Sequence, residues 1–198
     1  MAILDAQRLK ISNLDLYLNN QDIKAKSKLV LGVPSLEQSD YGQANDCTIT
    51  SLTAYIGYLV KNKAIVHIYN SVVNIAKKYG YNGYSRGTNP FCIKTIFNQA
   101  LKANDINQNT KVRYLKNIGF NYNLIKNNIN NKIPMVLSLW RDGREYYDNH
   151  SVLIVGYYEV QLENKKIKRF LQVFDNWKAD YSLIDYDKLS TISSINYI

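Results

Sequence analysis

The hydrophobic period of this chain changes near Pro134, and that single change restricts the folds open to it. Before it, apolar side chains recur at helical spacing. Ile49, Leu52, Ile56, Leu59 and Val60 make one such set, and Ile65, Ile68, Val72, Ile75 and Ala76 make another. After it they come in strand-length runs: Met135 to Leu139, Ser151 to Val160, Phe170 to Phe174 and Tyr181 to Tyr186. Helices first and strands second indicate an α+β fold, not alternating βαβ units. A total of 198 residues, 46% of them hydrophobic, suits one large domain with a core of its own and argues against disorder.

Local signals refine the order. Residues 1 to 32 mix helical and alternating spacings and read as an N-terminal extension, either a strap or the remnant of a propeptide. Gly32-Val33-Pro34 closes that segment, since proline restricts the residue before it. The main domain then runs from 33 to 198. Residues 35 to 46 are polar and turn-rich, so a loop is expected there. Asn45 and Asp46 are good caps for the helix that follows. A second helix is expected from Ala64 to Lys78, and a third from Pro90, a favoured first-turn residue, to Ala103. A short strand near Val112 to Leu115 and a short helix near Leu124 to Ile129 complete the first part.

Three residues carry the chemistry. Cys47 follows the Asn45-Asp46 cap, in the first turn of the first helix. Free N–H groups and the positive end of the helix dipole stabilise a thiolate there, and the thiolate is a nucleophile. A small buried filler is the plain alternative for a free cysteine. His150 stands where a polar segment meets an apolar strand, which would hold its ring rigidly at the edge of a cleft. Asp175 closes the next strand, and the two strands read as an antiparallel hairpin. A turn centred near Leu162-Glu163 sets His150 opposite Asp175, whose carboxylate could fix the imidazole tautomer. A turn centred on Asn164-Lys165 sets His150 against residues beyond Trp177 and calls for a bulge. Asn176, on the other strand face, is the second choice for the orienting residue.

In this order the residues resemble the papain-like cysteine peptidase superfamily. The likeness is to its bacterial branch with the double-glycine-leader (bacteriocin-processing) peptidases. It is carried by Val33-Pro34, Gln38, Asp46-Cys47-Thr-Ile-Thr-Ser-Leu-Thr53 and Ile133-Pro134-Met-Val-Leu-Ser138. Asn149-His150-Ser-Val-Leu-Ile-Val-Gly156 and Val173-Phe-Asp175-Asn-Trp177 follow, so it covers most of residues 33 to 186. The resemblance implies a helical half packed on a twisted antiparallel sheet and a Cys47-His150-Asp175 triad. It further implies hydrolysis of peptide or amide bonds in peptide or protein substrates through a thioester, with no cofactor. Acyl transfer by the same triad and an inactive binding module of the same fold are the alternatives. It also implies an oxyanion-hole glutamine before the cysteine. The usual position, about six residues upstream, is Tyr41 here, so Gln38 is the first choice and Gln43 the second, with plain loop residues the alternative for both. Thr48 follows the cysteine where relatives carry glycine or tryptophan. Trp177 is expected to shield the His150–Asp175 bond from water.

The remaining features narrow the partners. A net charge of +9 invites nucleic acid, but the lysines are scattered and the one dense run, Lys165 to Arg169, lies on a hairpin shoulder. Nucleic acid is therefore not the expected partner. Two cysteines and two histidines without CxxC spacing give no metal site. Cys92 reads as core and His67 as packing or surface. Trp140, Tyr146, Tyr147, Tyr157 and Tyr158 could line a cleft or simply belong to the sheet and its rim. No apolar run reaches the length of a membrane span. The first residues are not a signal peptide, which fits a cytoplasmic protein or a secreted one whose signal has been removed.

Overall fold

The computed structural model describes residues 24–30, 32–41, 45–116, 122–140, 149–162, 164–189 and 192–198. Among these, the helices are α1 (Cys47–Val60), α2 (Ile65–Lys77), α3 (Ile93–Ala103) and α4 (Tyr122–Asn130). The strands are β1 (Lys24–Leu29), β2 (Lys111–Lys116), β3 (Met135–Leu139), β4 (His150–Gln161), β5 (Ile167–Phe174), β6 (Tyr181–Asp185) and β7 (Ile192–Tyr197). The strands form one antiparallel sheet in the order β2-β7-β3-β4-β5-β6. β1 also pairs with β4, through its distal half from Gly156 to Gln161, while β3 pairs with the proximal half from His150 to Ile154. The architecture is α+β, as the change of period predicts.

Helices cover both faces of the sheet because each face is apolar. On one side Ile49, Leu52 and Ile56 of α1, Ile68 and Val72 of α2, and Ile96 and Phe97 of α3 close over Val136, Leu153 and Phe174. On the other, Ile125 and Ile129 of α4 close over Leu137, Val152, Ile154 and Val173. Lys126 ties α4 to the sheet, its Nζ 2.7 Å from Glu159 of β4. Most of α1, from Thr48 to Gly57, is buried, so the nucleophile candidate at its start rests on a fixed support.

Two details differ from the sequence expectation. The first is β7, for which the sequence predicts no strand. It lies inside the sheet between β2 and β3, yet Ser193, Ser194 and Asn196 are buried polar residues. Polar residues of low strand propensity hide a strand whose identity comes from its neighbours. The second is the β4–β5 register. Gln161 pairs with Ile167, so the turn centres on Asn164, and the register shifts between Ile154 and Gly156. The bulge changes which side chains face which helices. Leu153 and Val155 belong to the α1 side, but Tyr157, two residues on, belongs to the α4 side.

Candidate active site

The site forms where the start of α1 meets the start of β4. Asp46 occupies the cap position of α1, but its carboxylate makes no cap hydrogen bond. It is fully buried and accepts from the hydroxyls of Tyr69 on α2 and Tyr81 in the following loop. Burial raises its pKa, and the two tyrosine hydrogen bonds oppose that rise. The capping expected from the sequence is therefore replaced by a clamp between α1, α2 and the loop after it. Asn45 extends the clamp, its Nδ2 donating to the carbonyl of Tyr84 at 2.7 Å.

With the cap unmade, N–H groups at the helix start are free to face the sulfur. Burial alone would push the Cys47 thiol up. A hydrogen bond with the His150 side chain, the charge of that ring and the backbone N–H groups of Ser151 and Thr48 outweigh it. The thiol is held below its ordinary range, as a nucleophilic cysteine requires. Cys47 and His150, over a hundred positions apart in sequence, are thus in contact.

His150 is buried and follows Asn149, which turns the chain with a φ of 51°. Its Nε2 lies 2.8 Å from the main-chain carbonyl of Asp175. A carbonyl only accepts, so Nε2 carries the proton and Nδ1 is left for the sulfur. This 2.8 Å contact is made by the backbone of Asp175. Its buried carboxylate accepts from the amide of Trp177 and from the Ser182 hydroxyl, each at 3.0 Å. These bonds brace the turn that carries the carbonyl. The ring of Trp177 lies against the imidazole, with centroids 4.5 Å apart and planes tilted 32°.

Asn176 has a different task from steering the ring. With a φ of 64° it turns the chain out of β5, and its side-chain amide points under α1. Nδ2, with two hydrogens, shares them among the Cys47 carbonyl (3.1 Å), the Ser51 hydroxyl (2.7 Å) and the Ser151 carbonyl (3.0 Å). One amide therefore joins the helix of Cys47 to the strand of His150. Nearby, the Ser151 hydroxyl lies 2.8 Å from that of Thr48 and 3.0 Å from that of Ser138. Asn176→Ala removes the shared donor and places a Cβ residue without a local hydrogen bond at positive φ. The expected cost is about 2–4 kcal/mol, or roughly 6–12 °C in Tm for a chain of this size. Asn176→Gly, free of the backbone penalty, should lose less; equal melting of all three proteins would contradict this role.

A cleft of about 590 Å³ opens over this pair, and Gln38, Trp140, His150 and Trp177 line it with Cys47. Gln38 is buried in a short 3₁₀ turn, and its N–H donates to the Asn176 carbonyl at 2.8 Å. Gln43 lies outside the described residues, as do Tyr146 and Tyr147. Tyr157 does not reach the cleft: it is buried on the α4 side of the sheet, where its hydroxyl bonds Asn130 at 3.2 Å. Cys92 packs partly buried against the helical core, and His67 is exposed on α2. Sequence reasoning missed Arg86 and Gly87, which also line the cleft. The glycine-punctuated loop containing them was the available signal.

A family model, described as the Peptidase_C39 like family, matches residues 30–191. Among solved structures, a C39-like peptidase from Bacillus anthracis is similar at a TM-score of 0.53 and 14% identity, covering 87% of this chain and 98% of that one. SERA5E from Plasmodium falciparum is similar at a TM-score of 0.52 and 14% identity, covering 97% of this chain and 95% of that one. At such identity the likeness is one of fold. No curated protein matches the chain.

Proposed function

The chain belongs to the Peptidase_C39 like family, and we propose that it is a thiol hydrolase of peptide or amide bonds. In this reading Cys47 is the nucleophile, His150 its acid–base partner and Asp175 the residue that orients the ring. The observation that carries it is the contact between the Cys47 thiol and the His150 imidazole at the floor of the cleft, with the thiol pKa held down.

The steps follow from the groups present. The Cys47 thiol gives its proton to His150 Nδ1, the resulting thiolate attacks the scissile carbonyl carbon, and the C=O electrons move onto oxygen. The Cys47 N–H and the Gln38 side-chain amide are the donors proposed for that oxyanion, each worth about 3 kcal/mol. The oxyanion collapses, the C–N bond breaks, and His150 Nδ1 gives its proton to the leaving amine. Water then attacks the thioester while His150 takes its proton, and the S–C bond breaks to release the acid. Throughout, the Asp175 carbonyl accepts from Nε2–H. Trp177, 39% exposed, covers one face of the ring.

A peptidyl chloromethyl ketone tests the assignment, because the thiolate displaces chloride only where a peptide is held beside an activated sulfur. The expected product is a single adduct on Cys47, read by mass spectrometry of the digested chain, with Cys92 unmodified. Labelling of Cys92 at the same rate, or none at Cys47, would overturn it.

A further inference from the structure

The lining of the cleft suggests what kind of peptide enters, an inference that rests on the hydrolase reading above. The described lining residues include one permanently charged side chain, Arg86, and no aspartate or glutamate. Arg86 is exposed, and its guanidinium has no ion-pair partner among the described residues. Its main chain is fixed: the Asn82 side chain accepts from the N–H groups of Ser85 (3.0 Å) and Arg86 (2.9 Å), while Asn82 N–H donates to the Arg86 carbonyl. Asn45, two residues before Cys47, holds the same loop through the carbonyls of Gly83 and Tyr84. A cation with a planar fork of donors thus stands on a loop anchored to the nucleophile's helix, and its natural complement is a carboxylate.

Further along, Pro90 and Trp140 line the cleft, and Trp140 belongs to a ring cluster. Phe91 lies 5.2 Å from Trp140 and 6.1 Å from Tyr114, and Tyr114 lies 6.2 Å from Trp140, centroid to centroid. Phe91 is 67% exposed and Tyr114 52% exposed, although both are large rings. Exposed aromatic surface continuous with a binding cleft is the kind of surface that gains most when a ligand covers it. Arg86 and Trp140 line the same cleft, so one extended peptide can address both features.

We propose that this cleft selects acidic peptides: a substrate carboxylate pairs with Arg86, and a large apolar side chain a few residues away lies on the Phe91–Tyr114–Trp140 cluster. The occupant is a peptide because the cleft leads to the Cys47–His150 pair, and it is acidic because the described wall offers a cation and no anion.

The test uses a positional-scanning library of fluorescein-labelled octapeptides. Binding is read by anisotropy on the full chain carrying Cys47→Ala, so that no probe is consumed. The expected result is at least about a tenfold preference for Glu or Asp over Lys at one position, the scale of one charge-assisted contact. At a neighbouring position Phe or Leu should exceed Ala by about fivefold or more. Adding Arg86→Glu should reverse the charge preference and keep the apolar one; adding Phe91→Ala with Tyr114→Ala should do the opposite. All three side chains are exposed, so these variants should fold, and melting curves check that. A wild-type cleft indifferent to charge, an acidic preference that survives Arg86→Glu, or no binding by any pool overturns the inference. Alkylation of Cys47 in the otherwise unaltered chain separates the two readings. An activated thiol with no charge selectivity sinks the subsite alone. Charge-selective binding beside an ordinary thiol sinks the hydrolase and supports the acidic-peptide cleft.

Discussion

Cys47→Ala is expected to lower kcat/KM for peptide hydrolysis by about four orders of magnitude or more, leaving only what binding and the oxyanion donors supply. No other described sulfur can take over: the chain has two cysteines, and Cys92 packs against the helical core instead of lining the cleft. The fold should survive. Cys47 is only partly buried and the α1 residues that follow it, Thr48 to Gly57, carry the packing. Its carbonyl, which Asn176 binds, remains in alanine. The melting temperature should therefore move by no more than roughly 2 °C, the scale of a substitution outside a core. Hydrolysis persisting near wild-type level in pure Cys47→Ala protein would assign the nucleophile elsewhere.

His150→Ala should cost about a thousandfold or more in kcat, because both the thiolate's partner and the proton donor to the leaving amine disappear. It also makes a less common forecast about the thiol. Burial is the largest influence on Cys47 and acts upward; the ring's hydrogen bond and charge are the main forces against it. With the ring gone, the N–H groups of Ser151 and Thr48 are what remains to hold the thiol down. The thiol should climb out of its depressed range, because burial is then opposed only by those N–H groups. A variant that loses turnover yet alkylates with the wild-type pH profile would show that the imidazole does not activate the sulfur.

Much of this was legible before any coordinates. Helical spacing in Ile65, Ile68, Val72 and Ile75 locates α2, because a side chain that recurs every three or four residues has one face to bury. The run from Ser151 to Val160 locates β4 because burial on both sides of a central strand leaves no polar alternation. What stayed hidden depends on partners far away in sequence. Ile192–Tyr197, half of it serine and asparagine, carries no clear strand signal and becomes a strand between β2 and β3. Asp46 reads as a helix cap, but its partners Tyr69 and Tyr81 are 23 and 35 residues distant, and they bury it instead. The two registers considered for the hairpin both assumed that His150 would meet what lies across from it. The observed register puts the turn at Asn164 with a bulge beyond Ile154, and the ladder ends at Phe174. Asp175 reaches the ring through its carbonyl, on a turn made by Asn176 at positive φ. No sequence pattern encodes that contact between a ring nitrogen and a main-chain carbonyl.

The most direct measurement is the rate of iodoacetamide alkylation at Cys47 across pH 4 to 10, followed residue by residue by mass spectrometry so that Cys92 is counted separately. An imidazole-paired thiolate at a helix start should react with a midpoint well below 8.5, and His150→Ala should move that midpoint upward. A midpoint at or above 8.5 in the unaltered chain, unmoved by His150→Ala, would contradict the activated pair on which the hydrolase reading stands.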